Sequence, residues 1–85
     1  MEWVKVGEVM HYYGRVGVAA ITLMDDLTVG DWVGFVKQGD LLFEQEVVSM
    51  QVEHQDVASA LGGEDIGLKV AQKVKPGTEV YKLHQ

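Results

Sequence analysis

The chain contains no cysteine. Disulfide staples, thiolate nucleophiles, zinc fingers and iron–sulfur clusters are therefore excluded, and the absence suits a cytoplasmic protein. Basic residues are also scarce, with 7 Lys and Arg against 13 Asp and Glu and a net charge of −6. That sign opposes general binding to nucleic acid, where Lys and Arg neutralise phosphates, though it leaves room for a small local basic patch. No apolar run approaches the roughly 20 residues of a membrane helix. The first ten residues, MEWVKVGEVM, lack the basic start and continuous apolar stretch of a signal peptide. Several catalytic signatures are missing as well. There is no G-x-x-x-x-G-K-[ST] loop, no G-x-S-x-G elbow around Ser49, and no H-x-H or H-E-x-x-H spacing among His11, His54 and His84.

What is present fits one soluble domain. The 85 residues are 47% hydrophobic and 24% charged, the balance of an ordinary globular fold. A chain this short buries only about 60–65% of the surface it would expose unfolded, so its core must be compact. Ten glycines and short apolar runs point to strands joined by turns.

The spacing predicts six strands. The first carries Val4, Val6 and Val9 into Met10-His11-Tyr12-Tyr13, with a bulge expected near Gly7. Gly14-Arg15 turns the chain into a second strand over residues 16–23, VGVAAITL, whose small side chains suit a crowded barrel interior. The third covers residues 32–37 and returns through Gln38-Gly39-Asp40 as a hairpin. The fourth runs long, over residues 41–53, with a bend near residues 44–47 and with Val48, Met50 and Val52 on one face. Residues 55–61 have the spacing of a single helical turn, stopped by Gly62-Gly63. The fifth strand spans residues 66–71, with Ile66, Leu68 and Val70 inward. Lys75-Pro76-Gly77-Thr78 forms a type II turn before the last strand at 79–83. The stretch 47–70 organises the rest, and Val48, Met50, Ile66 and Leu68 are expected core. Trp3, Trp32 and Phe35 are expected to plug the core or the barrel ends.

The residues that carry chemistry are weak as catalytic candidates. The pairs Asp25-Asp26, Glu44/Glu46 and Glu64-Asp65 sit at turns or among polar residues, where a carboxyl has no burial to raise its pKa. Lys69, Lys73, Lys75 and Lys82 are a candidate basic patch, although charge on solvated strands is the ordinary explanation. Contact is a better expectation than catalysis. Met10-His11-Tyr12-Tyr13-Gly14-Arg15 places two rings, an imidazole and a guanidinium at a hairpin end, able to stack on bases or hold a peptide. The plainer alternative is a tyrosine pair half-buried at the barrel mouth. His11, Tyr12, Tyr13 and Arg15 are thus the first candidate partner-binding residues. Gln51 and His54, on the polar face of the long strand, are the second.

The ordered series V-G-E-V, H-Y-Y-G-R-V-G-V-A, L-T-V-G-D-W-V, V-V-S-M-Q-V-E-H, G-G-E-D-I-G-L-K-V and K-P-G-T-E-V-Y-K covers most of the chain. It resembles the second domain of elongation factor Tu and the short translation-elongation-factor-like proteins. It also resembles the C-terminal barrel of collagenase-like peptidases. The resemblance implies an all-β fold, a closed six-stranded antiparallel barrel filling residues 1–85, and a role in binding rather than catalysis. No cofactor, metal or small-molecule substrate is expected, since the histidines lack ligand spacing. The partner the resemblance implies is RNA or a protein linked to translation or RNA modification. The alternative is an assembly domain accessory to a peptidase-like enzyme, with no nucleic acid bound.

Overall fold

The computed structural model describes residues 1–84. These form ten strands: β1 (Glu2–Tyr13), β2 (Val18–Leu23), β3 (Leu27–Thr28), β4 (Trp32–Lys37), β5 (Asp40–Glu46), β6 (Met50–Val52), β7 (Gln55–Val57), β8 (Ser59–Ala60), β9 (Asp65–Lys69) and β10 (Glu79–His84). Eight make one antiparallel sheet in the order β5-β4-β10-β1-β2-β9-β6-β7, and β3 pairs with β8 in a second. The fold is all-β, with no helix among the described residues.

β1 explains how one sheet encloses a core. A straight strand of 12 residues would run about 37 Å, longer than the 30 Å major axis of the molecule. Register shifts between Lys5 and Gly7 and between Val9 and His11 mark two bulges that bend it. Its first half pairs with β10 and its second with β2. Gly7 permits the first bend, because a Cβ there would lie 2.8 Å from both Ile21 Cγ2 and the Thr22 carbonyl oxygen.

The curled sheet covers a single cluster. Val6, Val9, Ile21, Val33, Leu68 and Val80 are fully or almost fully buried in it. Phe35 stacks on Phe43 with ring centroids 4.6 Å apart. Thr78, the one polar side chain buried among the described residues, donates its hydroxyl to the Lys75 carbonyl at 2.7 Å. The turn beneath it has Gly77 at φ 89° and a Thr78 N–H to Lys75 oxygen bond of 3.1 Å, the type II geometry expected from Pro76-Gly77.

The expected closed barrel is corrected: the sheet stays open, with β5 and β7 at its edges. The cause lies in the expected long strand over 41–53, which breaks after Glu46. Val47 turns inward. Its N–H donates to the Asp31 carbonyl and its own carbonyl accepts from Gly30 N–H, both at 2.8 Å. The backbone that would continue the strand is thus bonded to the 30–31 turn. The restarted β6 pairs with β9 at only two positions, Met50↔Leu68 and Gln51↔Gly67. Across the seam a side chain stands in for a ladder. The Gln45 amide donates to the Lys69 carbonyl at 2.8 Å and accepts from Ala71 N–H at 2.7 Å.

The break also shifts the phase. Val47 and Met50 are buried, whereas Val48 is 62% exposed, so Val48 is not core as expected; Met50, Ile66 and Leu68 are. The expected helical turn at 55–61 is absent. Gln55–Val57 folds back on β6 and Ser59–Ala60 pairs with β3, which buries Ala60 beside Leu27 and leaves Leu61 exposed. Phe35 is core as expected, but Trp3 and Trp32 lie on the outer face, each 42% exposed.

Candidate binding surfaces

Strand alternation sends one set of β2, β9 and β6 side chains outward. The register aligns His11, Ala20, Gly67 and Gln51 in one cross-strand row, and Tyr13, Val18 and Lys69 in the next. Ala20 and Gly67 project almost nothing, so the middle of this face is a trough. It has a floor of β2 and β9 and walls from β1 and from the β6–β7 hairpin. The hollow has a volume of about 650 Å3 and is lined by Tyr13, Arg15, Gln51, Glu53, His54 and Asp65 above a floor that includes Val18, Ala20 and Gly67. A second hollow of about 320 Å3 shares Val16, Val18, Gln51 and Gly67 with it and extends it toward Lys69.

The far wall is held in an unfavourable backbone conformation. Val52 pairs with Gln55, leaving Glu53 and His54 as a two-residue turn with φ of 50° and 65°. Two consecutive left-handed residues define the type I′ hairpin turn, which favours Asn-Gly. Glu-His carries a steric cost there, and such costs concentrate at functional positions.

Of the candidate residues, the structure brings Tyr13, Arg15, Gln51 and His54 onto this one trough. His11 stands behind the wall, its ring edge-on to Tyr13 at 4.4 Å between centroids. Tyr12 does not join them, because alternation points it the other way, half-buried against the core. Sequence reasoning missed Glu53, Asp65, Ala20 and Gly67. The signal available for the last two was their outward phase in strands otherwise rich in branched side chains.

A second surface lies on the outer face of β1, β10, β4 and β5. Trp3 pairs with Leu83, and Tyr81 lies between Lys5 and Gly34. The Trp3 ring reaches across β10 to within 3.3 Å of where a Gly34 Cβ would sit, and Leu41 closes over it from the other side at 3.1 Å. The Trp32 indole N–H donates to Glu44. A hollow of about 340 Å3 beside it is lined by Asp31, Trp32, Lys82 and Leu83, among others. Lys5 Nζ and Glu79 Oε2 form an ion pair at 2.8 Å on this face, and Tyr81 donates to the other Glu79 oxygen at 3.3 Å. The hydrogen bond to Lys5 holds the Glu79 carboxyl below its ordinary value, and the same bond raises Lys5 above its own.

The remaining candidates are dispersed. Lys69 donates to the Val16 carbonyl and Lys82 to the Asp26 carbonyl, so these two are separated rather than gathered in a patch. Asp26 and Glu64 accept from backbone N–H groups at Gly62 and Leu61, as turn caps do. Among the described residues no three His, Asp or Glu side chains converge as metal ligands would.

No protein-family profile matches the chain. An uncharacterized protease of Methanocaldococcus jannaschii is 37% identical over 82 residues, which is 96% of this chain and 20% of that protein. A collagenase of Porphyromonas gingivalis strain W83 is 29% identical over 81 residues, 94% of this chain and 20% of its own length. The chain thus spans about a fifth of the length of the curated relatives it matches. Among solved structures, the C-terminal domain of a putative U32 peptidase from Geobacillus thermoleovorans superimposes with a TM-score of 0.86 at 20% identity, over 95% of this chain and 93% of that one. A selenomethionine form of that domain gives 0.83 over 89% of this chain. The translation-factor half of the resemblance is therefore corrected: the similarity runs to a protease, collagenases and a peptidase domain. Nearly the whole of this fold is similar to one portion of much longer peptidase-like and collagenase-like chains.

Proposed function

We propose that this chain is a non-catalytic accessory domain that docks on the body of a peptidase-like protein of the U32 and collagenase type. The observation that carries this reading is the 37% identity over 96% of the chain to 20% of a protease. The role of a protein-binding module is also supported by the net charge of −6, which disfavours an RNA partner.

The docking face we assign is the aromatic one. In this fold the two ends of the matched segment lie together, with Glu2 paired to His84. In a relative, the other four-fifths of the chain must leave the domain beside Trp3 and Leu83. Trp3, Trp32 and Leu41 are 42%, 42% and 53% exposed there, and aromatic side chains on an open face are favoured anchors for a protein partner. Glu44 accepts from the Trp32 indole, Glu46 stands opposite Trp32 and Asp31 lines the hollow beside it, which suits an apolar surface with a basic rim.

The test is size-exclusion and calorimetric titration of this chain against a U32-type peptidase chain from which the matched fifth has been removed. A one-to-one complex that weakens when Trp3 and Leu41 are both changed to Ala is the expected result. No association, with both proteins folded by circular dichroism, would dismiss the reading.

A further inference from the structure

We infer that the trough over Ala20 and Gly67 binds an extended peptide carrying a carboxylate and a basic side chain four or five residues apart. The inference deepens the accessory reading and rests on it for the choice of a peptide as occupant. The chemistry comes from the trough itself.

Its dimensions suit one extended chain. The walls on β1 and β6 are three strand spacings apart, about 14 Å between backbones. The wall side chains, Tyr13 and Arg15 on one side and Gln51 and His54 on the other, narrow that gap toward the width of a single strand. The floor is flat and apolar at Val18, Ala20 and Gly67. It accepts small peptide residues and offers Tyr13 as an apolar wall.

Its charges are segregated along its length. Arg15 follows Tyr13 at one end, beside the row that ends in Lys69. Asp65 pairs with Thr22 at the other end, and the β6–β7 turn brings Glu53 into the same hollow. From the Val18–Lys69 pair to the Thr22–Asp65 pair is four residues of β9, about 13 Å. An extended peptide crosses that distance in four residues, so a carboxylate at the Arg15 end leaves a basic side chain at Glu53 and Asp65. The strained Glu53-His54 turn fits this role, because the favoured Asn-Gly turn would remove the acid from the wall.

The experiment is fluorescence anisotropy on the isolated chain with labelled nine-residue peptides of Gly and Ala. One peptide bears Glu and Lys four residues apart, one bears them adjacent, and one is uncharged. The spaced peptide is expected to bind about fivefold more tightly than the other two at low salt, as exposed ion pairs allow, and to lose that margin in high salt. Arg15→Glu should remove the preference, and replacing the peptide Glu with Lys should restore it. Gly67→Leu, or Ala20→Leu if the first fails to fold, should abolish binding by filling the floor, with the melting temperature checked separately. Equal binding of all three peptides overturns the inference. So does a loss in Arg15→Glu that the Lys peptide does not rescue, or sedimentation showing that a second copy of the chain occupies the trough. Failure here leaves the docking titration untouched, since that experiment reads the surface of Trp3 and Leu41.

Discussion

The aromatic face and the trough are outer surfaces of the same sheet, and each is centred on a glycine. At Gly34 the neighbours reach inward: Trp3 and Leu41 meet above it and the glycine is covered. At Gly67 the flanking residue on β2 is Ala20, only a Val18 methyl comes close, no ring covers it, and the glycine becomes a floor. Lack of a side chain therefore has no fixed consequence on a sheet. Cross-strand neighbours decide whether it seats an aromatic ring or opens a groove.

The comparison presumes one core beneath both faces. Phe35 lies under the aromatic side and Leu68 under the trough. Truncating either to Ala should cost about 3–4 kcal/mol in urea denaturation. A loss below about 1 kcal/mol at one of them would mean that the two faces rest on separate, unequal supports.

The glycines themselves sharpen the contrast. A Cβ at Gly34 would stand 3.1 Å from Leu41 and 3.3 Å from Trp3, whereas at Gly67 its nearest neighbour is Val18 at 3.3 Å. Gly34→Ala should displace the indole, shifting tryptophan fluorescence and costing about 1 kcal/mol. Gly67→Ala should cost less than Gly34→Ala, because only one Val18 methyl must move by a few tenths of an ångström and the alanine loses less backbone entropy on folding. Equal behaviour of the two would erase the distinction drawn between them.

The next effect belongs to the trough alone. Replacing Glu53-His54 with Asn-Gly should raise stability by about 1 kcal/mol in thermal melts, since both positions lie at positive φ. A destabilised variant would show that the turn side chains hold the wall together.

The smallest effect belongs to the aromatic face. Glu79 titrates below its ordinary value of 4.5, so its contribution is complete above that pH and is lost as pH falls through the lowered value. Lys5 titrates above 10.5, so its contribution is complete below that pH and is lost as pH rises through the raised value. Glu79→Gln should slightly flatten the acid limb of a melting-temperature profile. An unchanged limb would mean that solvent screens the pair completely.

Much of the fold was legible because alternation and turn chemistry are local. The strand at residues 32–37, its hairpin through Gly39, the Pro76-Gly77 turn and the inward phase of Ile66 and Leu68 all follow from neighbouring residues. The change of phase marked a bend near residues 44–47, but that the strand breaks there after Glu46 was not legible, since it depends on Val47 bonding to a turn 16 residues earlier. Nor was the β6–β7 hairpin, because Glu-His gives no turn signal where Asn-Gly would have. The candidate residues were chosen as two separate groups, and only the pairing of β9 between β2 and β6 sets Tyr13 and Arg15 opposite Gln51 and His54.

The amino-acid order alone determined that this chain forms short strands around one apolar centre, because burying alternate side chains needs only a period of two. Whether those strands sealed into a cylinder was settled in three dimensions, at a seam where Gln45 of the edge strand β5 reaches the end of β9 without any backbone pairing between the two. Which outward residues share a surface was settled there too, since register between distant segments is fixed by the packed core beneath them.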